Sequence, residues 1–243
     1  ASWFASSTDD ILGDTIADIF PGVHASGSGT QISSVAASTT NVYIGGKFLL
    51  YDTYKTHDIS GITITESGTI DAENAIENIK LYYELDTTAP YNCASESYGG
   101  SESQFGSTDN NGFSGANGVS SFSGTTETIS TTTSLCIYPV MDIKDSALSS
   151  STIDISIDDP VADITVDNGT AGPPSAQNIA STTLVYNDIA TQVHFHFRND
   201  DGNEAAATSR TSGVADTALS ALRQGSTTRL RMEVSNEGSS STP

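Results

Sequence analysis

From Asn41 onward, apolar and polar side chains alternate with a period of two in a series of short runs: VYIGGKFLLYD, DISGITITES, ENIKLYYELD, SLCIYPVMDI, STIDISIDD and VADITVD. Successive side chains of a strand point to opposite faces, so each run predicts a strand. Six or seven short strands divided by turn residues predict a mainly β protein built as an antiparallel β-sandwich. In ENIKLYYELD, Ile79, Leu81, Tyr83 and Leu85 form the face expected to be buried, and Lys80, Tyr82 and Glu84 the wet one. SLCIYPVM is apolar on both faces, as a central strand is. Pro139 within it lacks an amide donor and predicts a bulge or a strand end.

The period changes only near the N-terminus. Thr8, Asp9 and Asp10 suit a helix start, and Ile11, Leu12, Ile16, Ile19 and Phe20 recur at helical spacing before Pro21 and Gly22. So short a helix is marginal alone in water, and with Trp3 and Phe4 it presents an apolar surface that needs a partner. Small and polar residues then run to about 40 with one strand expected near Gln31 to Ala36, so residues 1–40 read as an arm of short helix and linker.

Two further segments break the alternation. Between Thr87 and Thr133 the chain is rich in Gly and Ser, with Tyr98, Phe105, Phe113 and Phe122 at intervals. A structureless loop of that length is uncommon in a compact domain, so an ordered excursion pinned by its aromatic residues is expected. Gly172, Pro173 and Pro174 mark a boundary between a sandwich over 41–172 and a smaller, incomplete β domain over 175–243. The latter holds about three strands: NIASTTLVYND, TQVHFHFRND and TTRLRMEVSN. ADTALSALR between the last two is a candidate helical turn, and EGSSSTP has linker composition.

Composition sets the surroundings. The 243 residues carry 30 acidic and 9 basic side chains, a formal charge of −21, which argues against nucleic acid or an anionic membrane as partner. Ser and Thr make up roughly a quarter of the chain, and no run approaches the roughly 20 apolar residues of a membrane span. An exported β protein is expected, extracellular or on the cell surface, with Ala1 read as the end left after signal removal. Nine basic residues cannot pair with thirty acids, so cations or sugars are expected to manage the charge.

Candidate chemistry is sparse. Cys93 and Cys136 bracket the Gly/Ser excursion, and an even pair without CxxC in an exported chain reads as a disulfide before free thiols or a metal pair. His194 and His196 share one strand face, a spacing that can serve zinc, but no third ligand is near. The plainer reading puts Val193, Phe195 and Phe197 in the core and the histidines with Arg198 in solvent. His24 and His57 stand in linker and loop without a catalytic partner. NDDGNE offers Asn199, Asp200, Asp201 and Glu204 as calcium ligands, against a plain turn around Gly202. Asp154, Asp158, Asp163 and Asp167 are expected on one wet face, with calcium as the lesser reading. Asn168, Gly169 and Thr170 form a glycosylation sequon in a turn. No GxSxG, HExxH or phosphate loop is present, and no catalytic residue is nominated.

At Leu81 to Asp109, at SLCIYPVMDI, and at FHFRNDDGNEAAAT and TTRLRMEVSNEG, the chain resembles the Ser/Thr-rich, Ig-like β proteins of the surfaces of uncultivated bacteria, over roughly residues 40 to 240. The resemblance implies sandwich modules, a cell-surface location and a structural or adhesive role, with no active-site residues to carry over. The expected function is a non-enzymatic structural subunit of an extracellular filament or surface layer. Its partner would be itself, through sheet edges and an arm whose assembly residues are Trp3, Phe4, Ile11, Leu12, Ile16, Ile19 and Phe20. An adhesin that binds surface glycans is the alternative, and an extracellular hydrolase a weaker one. No cofactor is expected beyond the calcium candidates.

Overall fold

The computed structural model describes residues 22–187, 190–203, 205–220 and 224–236. The helix expected over residues 8–20, with Trp3 and Phe4, lies outside the described residues, as do Glu204 and the tail beyond Asn236. The chain divides between Val185 and Tyr186 into two units.

The described chain is mainly β, with helix confined to two four-residue turns. In order it runs β1 (Val23–Ser28), β2 (Ser34–Ala36), β3 (Thr39–Tyr43), β4 (Lys47–Tyr51), β5 (His57–Glu66), α1 (Ala72–Ala75), β6 (Ile76–Asp86), β7 (Ser103–Asp109), β8 (Val119–Ile129) and β9 (Ser134–Ile143). There follow β10 (Thr152–Ile153), β11 (Ile155–Ile157), α2 (Pro160–Asp163), β12 (Ile164–Val166), β13 (Ala171–Gly172), β14 (Gln177–Asn178), β15 (Thr183–Tyr186), β16 (Ala190–Asn199) and β17 (Thr228–Asn236).

The first unit is sandwich-like. One sheet has the order β13-β1-β4-β9-β6-β7 with β3 also on β9, a second has β12-β5-β11-β14 with β8 on β5, and β10-β15-β2 form a small third. The long ladders are antiparallel, and β1 meets β13 in a two-residue parallel pairing. A continuous core takes Phe48, Leu50, Leu81, Ile137 and Met141 from the first sheet and Ile59, Ile62, Ile64 and Phe122 from the second. β9 is buried along its whole length because both its faces are covered. Leu135, Ile137 and Met141 face the main core, whereas Cys136 and Tyr138 belong to a second cluster with Leu49 and Cys93.

Several sequence expectations are corrected. The supposed linker after residue 22 is part of the sandwich: β1 pairs with β4 over five residues. Its alternation is hidden because the inward positions after Val23 are Ala25 and Gly27, and Gly27 is small for a steric reason; a Cβ there would fall 1.9 Å from the Asn178 carbonyl oxygen. The boundary lies beyond Gly172–Pro174, because the chain returns to the first unit, where β14 pairs with β11, β15 pairs with β10, and Ile179 and Val185 enter the core. The Gly/Ser excursion is ordered, as expected, and goes further by forming β7 and β8, with Phe105, Phe113 and Phe122 all buried.

Pro139 neither ends nor bulges its own strand. It falls where the partner edge changes hands: β4 last pairs at Phe48↔Ile137, and β3 resumes at Tyr43↔Val140. A missing amide donor costs little in such a gap. The irregularity sits instead on β6, between Glu77 and Lys80, around Asn78 with φ of 50°. The face of β6 expected to be wet is partly covered, since Tyr82 packs in the second cluster, and Leu85, expected inside, is 37% exposed at the strand end.

Candidate functional site

The second unit presents a hairpin rather than a closed module. β16 and β17 pair with each other in register from Ala190↔Asn236 to Asn199↔Thr228, and form a two-stranded sheet among the described residues. Period two sorts their side chains. Phe195↔Met232 and Phe197↔Leu230 share one face, and His194↔Glu233, His196↔Arg231 and Arg198↔Arg229 share the other.

Among the described residues the apolar face is left largely open. Leu230 is 53% exposed, Met232 55% and Val234 57%, while Phe195 and Phe197 are half-buried and touch edge to face with ring centroids 5.7 Å apart. This corrects the expectation that Val193, Phe195 and Phe197 lie in a core; Val193 stands at a register shift and is 42% exposed. A two-stranded hairpin cannot enclose a core of its own.

The opposite face is polar and cationic. Asp216 anchors a crossing loop here: its carboxylate accepts the Phe195 amide at 2.9 Å and faces His194 Nδ1 at 2.5 Å. The bond to Asp216 raises the His194 pKa, and the Phe195 amide, followed by His194, lowers that of Asp216. His196 Nε2 meets Ser209 Oγ at 2.7 Å, so each histidine has a loop partner and the two are not arranged as a metal pair. Arg229 pairs with Asp200, Arg198 donates to the Ala207 carbonyl, and Arg231 lines a shallow recess with His194, His196 and Glu233.

The calcium candidates of this unit serve the same loop. Asp201 accepts the Thr208 amide at 2.9 Å and the Thr208 hydroxyl, Asn199 Nδ2 donates to Thr208 Oγ1 at 2.9 Å, and Asp200 is taken by Arg229. The arrangement is a loop lock, and the fourth residue, Glu204, lies outside the described residues. Among the described residues no three His, Cys, Asp or Glu side chains converge as a metal-holding group.

Cys93 and Cys136 are joined by a disulfide with Cα atoms 5.8 Å apart. It fastens the loop after β6 to the outer face of β9, where Tyr43, Tyr82, Tyr98 and Tyr138 gather around it. Lys47 donates to the carbonyls of Cys93 and Glu96 and stands 6.0 Å from the Tyr138 ring centroid. Burial lowers the Lys47 pKa against the pull of Glu84, Glu96 and Asp86. Burial also pushes the Tyr43 phenol up to about 12. Sequence spacing found the bridge but not the tyrosines, which are scattered over four segments.

The four aspartates do not share one wet face. Asp154 is half-buried and faces Gln31 Nε2 at 3.4 Å, Asp158 accepts from Ser156 Oγ at 2.7 Å, Asp163 accepts the Asp159 amide at 2.8 Å, and Asp167 accepts the Asp58 amide at 2.7 Å. His57, read as a loop residue without a catalytic partner, is buried at the start of β5 between Asp52, 3.4 Å from Nε2, and the Asp167 carbonyl, 2.9 Å from Nδ1. Gly169 packs on the His57 ring, leaving Asn168 of the sequon exposed at a positive φ of 44°.

No protein-family model and no curated protein matches this chain. Among solved structures, the one described as "Complete structure of manganese lipoxygenase of Gaeumannomyces graminis and partial structure of zonadhesin of Komagataella pastoris" is similar at 12% identity, over 68% of this chain and 59% of that chain, with a TM-score of 0.21. This chain thus spans less than two thirds of that one, and a likeness this slight bears on neither activity nor partner.

Proposed function

We propose that this chain is a non-enzymatic structural subunit of an extracellular filament or surface layer, and that another copy covers the apolar face of the β16–β17 hairpin. The observation that carries the reading is that face: Leu230, Met232 and Val234 are each more than half exposed on a two-stranded sheet. Isolated two-stranded hairpins are marginal in water, and a partner that buries the face removes apolar surface at about 25 cal/mol per Å².

Charge favours a copy of the same chain as that partner. All five arginines, Arg198, Arg210, Arg223, Arg229 and Arg231, follow residue 185, whereas 23 of the 30 acidic residues precede residue 186 with four lysines. Arg198, Arg229 and Arg231 lie on the hairpin face opposite the apolar one, so this contrast draws the acidic first unit of another copy to the hairpin, and burial of Leu230, Met232 and Val234 holds the contact. Such a contact joins different surfaces and propagates unless its rotation closes a ring. β17 pairs with β16 alone among the described residues, so its outer edge suits strand addition, and packing of the N-terminal arm belongs to the same proposal. The disulfide suits the oxidising space outside the cell.

An adhesin would need exposed aromatic residues as a glycan platform, but Phe105, Phe113 and Phe122 are buried in the core, and Tyr98 packs around the disulfide. Electron microscopy of the purified full chain tests the proposal. Filaments or two-dimensional arrays are expected, and dispersed single particles across a wide concentration range would refute it.

A further inference from the structure

We propose that Glu66, Asp154, Gln31 and Thr183 form a binding site in the first unit for a hard divalent cation, Ca²⁺ by preference. This site is independent of the assembly reading.

Glu66 closes β5 and is fully buried. Its Oε1 accepts the amides of Gly68 at 2.8 Å and Asp154 at 3.1 Å, while its Oε2 is buried without a hydrogen-bond partner. Asp154 lies between β10 and β11 and is half-buried, giving the corner a route to solvent. Gln31, 4% exposed, is fixed by Nε2 on the Ser181 carbonyl at 2.6 Å and 3.4 Å from Asp154 Oδ1, and its Oε1 is likewise buried and unpartnered. Thr183 pairs with Ile153, next to Asp154, and its buried Oγ1 also lacks a partner.

Three unpartnered oxygens on buried side chains, beside a second carboxylate, are costly as they stand. No Lys, Arg or His forms an ion pair or hydrogen bond with Glu66 or Asp154 among the described residues; the charged group acting on Glu66 is Asp154, and that acting on Asp154 is Asp158. A buried carboxylate in such surroundings either takes a proton or holds a cation. Protonation neutralises Glu66 but supplies a single O–H, too few donors for the three unpartnered oxygens. A cation uses Glu66 Oε2, Gln31 Oε1, Thr183 Oγ1 and the Asp154 carboxylate together. All are hard oxygen donors, and a mixture of two carboxylates, an amide and a hydroxyl, completed by carbonyls and water, suits the loose six- to eight-fold shell of Ca²⁺ better than the strict octahedron of Mg²⁺. Burial pushes the Glu66 pKa up to about 7 in the metal-free protein, so cation binding at neutral pH should release a proton.

The test is calorimetric titration of the full chain with CaCl₂ after chelator treatment, repeated in buffers of different ionisation enthalpy and with MgCl₂. Expected are saturable Ca²⁺ binding with proton release at pH 7, at least tenfold weaker Mg²⁺ binding, no detectable site in Glu66→Gln, and at least tenfold weaker binding in Asp154→Asn. Both variants are near-isosteric and leave the strands intact, and thermal melts confirm folding. Asp201→Asn, in the second unit, should bind as the parent does. No binding at millimolar Ca²⁺, or unchanged binding in both Glu66→Gln and Asp154→Asn, overturns the proposal.

Discussion

Leu230 stands directly opposite Phe197 across the β16–β17 ladder, yet Leu230 remains 53% exposed. A cross-strand apolar pair stabilises a hairpin by less than about 1 kcal/mol, too little to hold two strands in water unaided. The exposure of Leu230 is explained if this face is an interface. Replacing Leu230 and Met232 with Asp should abolish self-association while the melting of the first unit stays unchanged, as followed by the near-ultraviolet signal of its tyrosines.

Reduction of the Cys93–Cys136 bridge should destabilise the first unit by about 4 kcal/mol, the chain-entropy value for a loop with a sequence separation of 43. Denaturant titration with and without reductant measures it. An unchanged midpoint would show that the tyrosine cluster holds the loop without the bridge.

Phe105 and Phe122 lie in a stretch that reads as low complexity, but their burial makes them core residues. Phe105→Ala and Phe122→Ala should each cost about 3–5 kcal/mol in equilibrium unfolding. A cost near zero would mean that β7 and β8 contribute little to the core.

These phenylalanines also show where legibility in the sequence ended. Alternation marked β5 and β6 because their inward residues are large and apolar, and an unbroken apolar run marked β9. β7 and β8 carry one large inward residue or few, separated by Ser, Thr and Gly, so period two has almost no amplitude there. β1 escaped for the related reason that Gly27 must be small against Asn178. The Cys93–Cys136 pairing was readable because bracketing cysteines are a local signal. The Glu66 corner was not, since Gln31, Glu66, Asp154 and Thr183 come from four segments joined only by the fold. In the hairpin, VHFHFR showed its two faces, but only the tertiary structure revealed that the apolar one is left open among the described residues.

Without calcium, Glu66 should impose a pH dependence on stability. Its folded-state pKa of about 7 lies above the ordinary 4.5, so the folded chain holds this proton more tightly than the unfolded chain. The stabilisation is complete below about pH 4.5 and is lost as pH rises toward 7. Thermal melts should show this decline in the parent and a flatter profile for Glu66→Gln; parallel profiles would remove Glu66 as the cause.

The arm is tested by deleting residues 1–21 only, because Val23–Ser28 is an integral strand of the first unit. The shortened chain should melt as the parent does and assemble less well.

Sedimentation velocity over a concentration series, comparing the parent with the Leu230→Asp, Met232→Asp double variant, tests the central claim most directly. The parent should shift to larger species as concentration rises, and the variant should remain monomeric. A parent that stays monomeric throughout, or a variant that assembles equally well, would contradict it.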